Sequence, residues 1–211
     1  MEWIYIILTL VVAYLIGSIN TAILVGKLLS GDDIRNHGSG NAGMTNTLRT
    51  YGKKAAVMVL LGDALKAVIA IVIAMVAGKL LNLDENTYNL MIYGASFGAV
   101  LGHNFPVYFG FRGGKGVLVS AVSILMVDWK IGLLVVVIAL AIMATTRYVS
   151  LGSILGAVTL IVSALIFKND NIPFIIYSIL LAALLIIMHR TNIGRLIHGT
   201  ENKLGQKKQN K

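Results

Sequence analysis

Ala55–Ala77 reads AAVMVLLGDALKAVIAIVIAMVA, an apolar run of 23 residues interrupted by one acid, Asp63, and one base, Lys66. The hydrocarbon core of a bilayer is about 30 Å thick and takes about 20 apolar residues as a helix. This run is long enough. It lacks the period-2 alternation of a barrel strand, and a helix then satisfies every backbone group within the segment. Asp63 and Lys66 stand three residues apart, on one helical face. A lone charge at mid-membrane costs about 2.5–3.5 kcal/mol on insertion scales. The pair therefore reads either as a brace between helices or as a substrate contact.

Outward from this run lie six more apolar stretches, at 3–25, 87–101, 117–128, 131–145, 151–167 and 172–188. The first has an acidic flank, Glu2, and no small-residue cleavage site, so it reads as a retained helix rather than a removable signal. Composition agrees with a membrane chain: 57% of the 211 residues are hydrophobic and 13% charged. A soluble domain carries about 25% charged and about 45–50% apolar residues. A water-soluble chain of this size has too little interior to hide so much apolar surface. That excludes a soluble enzyme, a disordered tail and a nucleic-acid-binding module, and no nucleic-acid partner is expected. With no cysteine, disulfides, thiolate nucleophiles, Cys-ligated zinc and iron–sulfur clusters are excluded as well.

The net charge of +9 is unevenly placed. With the N-terminus outside, every Lys and Arg falls on the inner side except Lys79, Lys130 and Lys168, and Lys66 within a helix. The positive-inside rule favours that arrangement. Merging 117–128 with 131–145 through a turn at Asp128-Trp129-Lys130 would export Arg147 and the basic tail, and is rejected. The expectation is an all-α polytopic integral membrane protein of seven transmembrane helices, N-terminus outside and C-terminus cytoplasmic. It forms one domain over 1–211, without an internal repeat, and 205–211 is a frayed basic tail.

Three polar constellations fall on the inner side. His37–Arg49 reads HGSGNAGMTNTLR. Gly38, Gly40 and Gly43 allow turns that point N–H groups into one concavity; Ser39, Asn41, Thr45 and Asn46 add donors, and Arg49 adds a forked cation. Such a segment is an anion cradle or a turn rich in capping residues. Gly102–Gly116 reads GHNFPVYFGFRGGKG. Lys115, in a Gly-Gly-Lys-Gly turn ahead of an apolar run, suits a phosphate at a helix N-terminus or an interfacial anchor. It is not a Walker A loop, because Phe109 replaces the first glycine and Gly116 the magnesium-binding hydroxyl. His189–Lys203 reads HRTNIGRLIHGTENK and gathers His189, Arg190, Asn192, Arg195 and Glu201. It suits a substrate cluster or a basic tail on anionic lipid. The turn at 145–150 adds Arg147 and Ser150.

The chain has no H-x-x-x-x-D segment, no G-x-S-x-G elbow and no D-x-x-D-G cluster. Asp32, Asp33 and Glu201 are too few for a two-metal site, so no metal and no cofactor is expected. What remains suits substrates with phosphates and an acyl tail. GSGNAGMTN, GHNFPVYFGFRGGKG, TRYVSLGS and HRTNIGRLIHGTENK, in order along nearly the whole chain, resemble the bacterial acyl-phosphate:glycerol-3-phosphate acyltransferase family.

The resemblance implies transfer of a fatty acyl group from acyl phosphate to the 1-hydroxyl of sn-glycerol 3-phosphate, at the cytoplasmic face of the bacterial inner membrane. The products are lysophosphatidate and inorganic phosphate, and no acyl-enzyme forms. It implies that Ser39, Gly40, Asn41, Gly43, Thr45, Asn46 and Arg49 hold the acyl-phosphate head group. Lys115, with Gly113, Gly114 and Gly116, bridges both phosphates, while His189 and Asn192, with Ser150 and Glu201, orient glycerol 3-phosphate. Ser39, Arg49, Lys115 and His189 form the catalytic set, with His103 among the substrate-binding residues. His103 and His189 are chemically able to take the hydroxyl proton, but the resemblance points to a substrate phosphate. A lysine at the Arg112 position would look equally family-like, and Arg112 stays outside the core set. The alternative is an anion or phosphate transporter, which needs paired inverted repeats that the sequence does not show.

Overall fold

The computed structural model describes residues 2–205, so the expected frayed segment beyond Gly205, with Lys207, Lys208 and Lys211, lies outside the described residues. Among the described residues there are nine α-helices and no strand. They are α1 (Glu2–Gly17), α2 (Thr21–Ser30), α3 (Met44–Leu80), α4 (Glu85–Asn104), α5 (Val117–Val127), α6 (Trp129–Thr146), α7 (Val149–Phe167), α8 (Ile172–Met188) and α9 (Arg190–Ile197). The chain divides into two compact units, one through Asp128 and one from Trp129.

Four segments are long and apolar enough to cross a bilayer: Glu2–Ser30, Met44–Leu80, Trp129–Thr146 and Val149–Phe167. A fifth is the pair α8 and α9 if taken as one span, bent by 61° at His189. With its apolar surface and all-helical build, this is a membrane protein. At 11 residues, α5 is about 16 Å long, about half the hydrocarbon thickness.

In the first unit α1 lies along α4, and the sequence of α4 explains why. Gly94, Gly98 and Gly102 recur every four residues and form a stripe without side chains. The backbone of α1 around Leu10, Tyr14 and Ser18 sits against that stripe, leaving no room for a β-carbon at Gly98 or Gly102. Close approach through small residues is the usual way apolar helices pack in lipid, where hydrophobicity alone gives no drive.

Three boundaries differ from the sequence reading. The stretch 3–25 breaks at Ser18-Ile19-Asn20, where Asn20 caps α2 by accepting from the Ile23 N–H at 3.1 Å. The second helix starts at Met44 instead of 55, so Thr45, Asn46 and Arg49 stand on a helix and not in a loop. Its first turns are separated from the long span by Gly52, whose φ of 82° a side chain would strain. Finally, α4 runs on through His103 and Asn104, placing both on its last turn.

The break before α2 and the charged pair on α3 meet in the core. Lys66 Nζ donates to the Ile19 carbonyl at 2.9 Å, pairs with Asp63 Oδ1 at 2.9 Å and donates to His103 Nδ1 at 2.9 Å. The Asp63 contact is an ion pair rather than an aligned hydrogen bond, since Oδ1 has no hydrogen-bond partner. All three side chains are buried, at 2%, 5% and 4% exposure for Asp63, Lys66 and His103. The pair is thus a brace between helices, one of its two readings above. In the second unit α7 packs on both α6 and α8, and α9 folds back on α7 and α8.

Removing one partner of a buried ion pair leaves the other charge uncompensated, at a cost of about 3–5 kcal/mol. Lys66→Met is therefore expected to lower the thermal unfolding temperature of the purified protein clearly. The double change Asp63→Leu with Lys66→Met removes both charges and recovers most of that loss. A single variant as stable as the wild type would show that the pair braces nothing.

Candidate functional site

The first glycine turn is built from inside by Asn46. Its side chain is buried, and its Nδ2 donates to the carbonyls of Ile34 at 3.2 Å and His37 at 3.0 Å. Its Oδ1 accepts from the Ser39 N–H at 2.8 Å. Asn46 therefore shapes the turn, and its carboxamide is committed to the backbone. Gly38 and Gly40 take positive φ, and a β-carbon at Gly38 would strike the Asn46 carboxamide. Thr47 Oγ1 and the Ala42 carbonyl fasten the far end, through Gly43 O at 3.2 Å and Asn20 Nδ2 at 3.4 Å. By contrast the Ser39 hydroxyl and the Arg49 guanidinium are exposed and make no hydrogen bond among the described residues. Asn41 and Thr45 are half-buried on the same segment.

Ahead of this turn, Arg35 ties it to the second one. Its guanidinium grips Asp33, with Nη2 at 2.7 Å from Oδ2, and its Nη1 donates to the carbonyls of Phe109 at 2.7 Å and Arg112 at 2.8 Å. That hydrogen-bonded guanidinium holds the Asp33 carboxyl below its usual range. Lys27 lies over the Phe109 ring, 5.9 Å from its centroid. The sequence reading counted Arg35 only as a positive charge on the inner side, whereas the fold uses it as a strap.

The second turn is sewn to the end of α4. Gly113 N–H donates to Asn104 O at 3.0 Å and Gly114 N–H to His103 O at 3.1 Å. A β-carbon at Gly114 would strike both the His103 ring and the Ala42 carbonyl, so this turn lies directly against the first. Gly116, at φ 75°, caps α5, and half-buried Lys115 stands just ahead of that helix's N-terminus. The first N–H groups of α5 point out of the helix, an arrangement that favours an anion. The first and second predicted sets are thereby brought together within one unit.

The third set lies in the second unit and converges on Glu201. Its Oε1 accepts from Ser150 Oγ at 2.9 Å and Asn192 Nδ2 at 2.6 Å, and its Oε2 pairs with Arg195 Nε at 2.6 Å. Arg147 holds Leu204, its carbonyl accepting from the Leu204 N–H at 2.7 Å and its guanidinium donating to the Leu204 carbonyl at 2.8 Å. His189 is buried at the α8–α9 bend, with Nδ1 donating to Leu185 O at 2.8 Å. In the neutral ring this leaves Nε2 as the acceptor. Glu201 is thus the hub that orients Ser150, Asn192 and Arg195. Among the described residues no group of three His, Asp or Glu gathers at metal-ligand range.

A family model described as glycerol-3-phosphate acyltransferase matches residues 7–199. The glycerol-3-phosphate acyltransferase of Thermoanaerobacter sp. is 47% identical over 203 residues, covering 96% of this chain and 98% of the relative. That of Clostridioides difficile is 45% identical over 205 residues, covering 97% and 98%. The fold is similar to a crystal structure of PlsY, an integral membrane glycerol 3-phosphate acyltransferase, in its glycerol 3-phosphate form. The TM-score is 0.81 at 36% identity, covering 95% of this chain and 96% of that one. The lysophosphatidic acid form of PlsY gives 0.78 at 34% identity, with 95% of each chain covered.

Partial burial by itself raises the Glu201 carboxyl, but the hydrogen bonds from Arg195, Asn192 and Ser150 outweigh it and hold it below the usual carboxylate range. Its contribution is therefore in full above the ordinary value of about 4.3 and lost as pH falls through the lower folded value. Glu201→Ala is expected to speed tryptic cleavage after Arg195 and Lys203 at pH 7.5 by about tenfold, as charge-assisted bonds are lost. An unchanged rate would show that Glu201 does not hold this segment.

Proposed function

The chain belongs to the glycerol-3-phosphate acyltransferase family, and on that premise we propose how its turns carry the reaction. It is a bacterial membrane enzyme that acylates glycerol 3-phosphate in phospholipid synthesis, and the transporter alternative is not favoured. In our reading the donor is an acyl phosphate and the acceptor is the 1-hydroxyl. The hydroxyl oxygen forms a bond to the acyl carbon, and the bond from that carbon to the phosphate oxygen breaks. The proton leaves on phosphate, giving lysophosphatidate and inorganic phosphate. No acyl-enzyme, metal or cofactor takes part.

Such a donor is a mixed anhydride that already carries its leaving group. Catalysis then needs two anions brought together and the developing charge met by fixed donors. Ser39, Gly40, Asn41, Gly43, Thr45 and Arg49 hold the acyl-phosphate head group in the turn that Asn46 shapes. Lys115, with Gly113, Gly114 and Gly116 and the N-terminus of α5, bridges the two phosphates. His189 and Asn192 orient glycerol 3-phosphate, supported by Ser150 and by Glu201, whose negative charge suits a hub better than a phosphate contact. Topologically we take α1 with α2 as one span and α3 to α8 as six more, the short α5 crossing together with a glycine turn that dips inward ahead of it, with the N-terminus outside and both glycine turns open to the cytoplasm. That places the basic residues of the inner connections on the favoured side.

One observation carries this reading: Gly114 is wedged against the Ala42 carbonyl, so two cationic, N–H-rich turns far apart in sequence share one place. The test is purified protein with palmitoyl phosphate and glycerol 3-phosphate, following phosphate release. Lys115→Met is expected to cut glycerol 3-phosphate-dependent release by about 100-fold or more, the scale for loss of a charge-stabilising donor. Release near the wild-type level would overturn the phosphate-bridging role.

A further inference from the structure

The buried ion network on α3 has no part in the reaction proposed above, and two of its ammonium hydrogens are held by hydrogen bonds. An ammonium has three N–H donors and no acceptor. Lys66 has three partners, the Ile19 carbonyl, Asp63 and His103 Nδ1, each at 2.9 Å. Two of those contacts are hydrogen bonds and the third an ion pair, and with Lys66 only 5% exposed the ammonium is turned inward to all three. The network is not a generic stabiliser, since a buried ion pair is often matched or bettered by apolar side chains of similar volume. Its best-attested use is to fix one arrangement among several.

What it fixes is His103. Because Nδ1 accepts from an ammonium, the neutral ring carries its proton on Nε2. That nitrogen points at Gly114, where the ring and the Ala42 carbonyl together exclude a β-carbon. The Nε2–H has no lone pair to take a hydroxyl proton. One residue beyond Ile19, the Asn20 amide holds the Ala42 carbonyl from the other turn at 3.4 Å. A single helix break therefore supports both glycine turns. One arm runs Ile19–Lys66–His103–Gly114 and the other Asn20–Ala42.

We propose that Asp63, Lys66 and His103 are positioning residues, a clamp that sets where the Gly113–Gly116 turn stands against the first turn and so where the acceptor phosphate is held. His103 then acts through Gly114 and is neither a proton acceptor nor a substrate contact. The inference rests on the phosphate-binding reading of that turn.

The experiment compares four purified variants in the phosphate-release assay, varying glycerol 3-phosphate at saturating palmitoyl phosphate. Asp63→Leu with Lys66→Met removes the clamp without stranding a charge, and His103→Ala removes the wedge. Both are expected to raise KM for glycerol 3-phosphate about tenfold, the lower end of what losing a supporting partner costs a site, with kcat within about threefold. His103→Gln places an amide N–H near the former Nε2 and is expected to recover KM to within about threefold of the wild type. A purely structural role would not give that split or that rescue. If instead kcat falls 100-fold in both His103 variants with KM unchanged, His103 is a chemical group and the clamp is overturned. Unshifted KM in the double variant and in His103→Ala overturns it as well. Lys115→Met, run alongside, separates the two ideas. Its full activity removes the phosphate-binding reading itself, while an inactive Lys115→Met beside unshifted network variants removes only the clamp.

Discussion

Where a helix stops inside an apolar span, its last carbonyls lose their intrahelical donors and cannot turn to water. The carbonyl of Ile19, released between α1 and α2, is in that position, and Lys66 reaches it from α3. A neutral donor would have satisfied the carbonyl. An ammonium brings a charge that must be balanced, which requires Asp63 one turn earlier, and it keeps two further donors to place. One of them goes to His103. The unsatisfied carbonyl thus leads to the ion pair, and the ion pair to the orientation of the ring beside Gly114. Few other features of the first unit reach so many elements, since α1, α2, α3 and α4 all meet around this nitrogen.

The second constraint is distance. α1 can sit against α4 closely enough for Lys66 and His103 to meet under Ile19 because Gly98 and Gly102 carry no side chains. The same device recurs at the site. Gly113 and Gly114 bond to the carbonyls of Asn104 and His103 with no space for a β-carbon, so the turn is glycine-rich for closeness at least as much as for conformational freedom. A glycine turn without such stitching would be loose. Here the two backbone hydrogen bonds to Asn104 and His103, together with the Arg35 strap, hold it.

Much of this was legible in the sequence, and the limits follow a pattern. Long apolar runs gave α7 and α8 almost to the residue, because nothing within them competes with a helix. The break in 3–25 was not visible, since Ser18 and Asn20 are small polar residues that a span tolerates. The four-residue glycine spacing of α4 is itself a readable signal of close helix packing in lipid. At the candidate site, residue type singles out these segments but does not say which of their polar groups face outward. Asn46 and Ser39 look alike as donors in a glycine turn. One is buried in the turn's own backbone and the other exposed, and only the fold distinguishes them. Glu201 was grouped with substrate-orienting residues, and its three donors explain why an acid stands among basic ones.

The proposed chemistry gives a reason for so much positioning and so few reactive groups. Two phosphate dianions about 4 Å apart repel by about 4 kcal/mol even at the dielectric of water, and by several times more in a drier site. A donor that already carries its leaving group needs little further activation, so this repulsion is the larger obstacle. A cation on a mobile loop would relax away from the strained pair and stabilise each anion separately, which favours the bound substrates rather than their approach. Only a cation whose backbone cannot retreat stabilises the pair more than its parts. Lys115 meets that condition to the extent that its turn is fixed. Three of the four residues Gly113–Gly116 carry no side chain, so in the proposed scheme much of the turn's fixity comes from beneath, from the buried network of Asp63, Lys66 and His103.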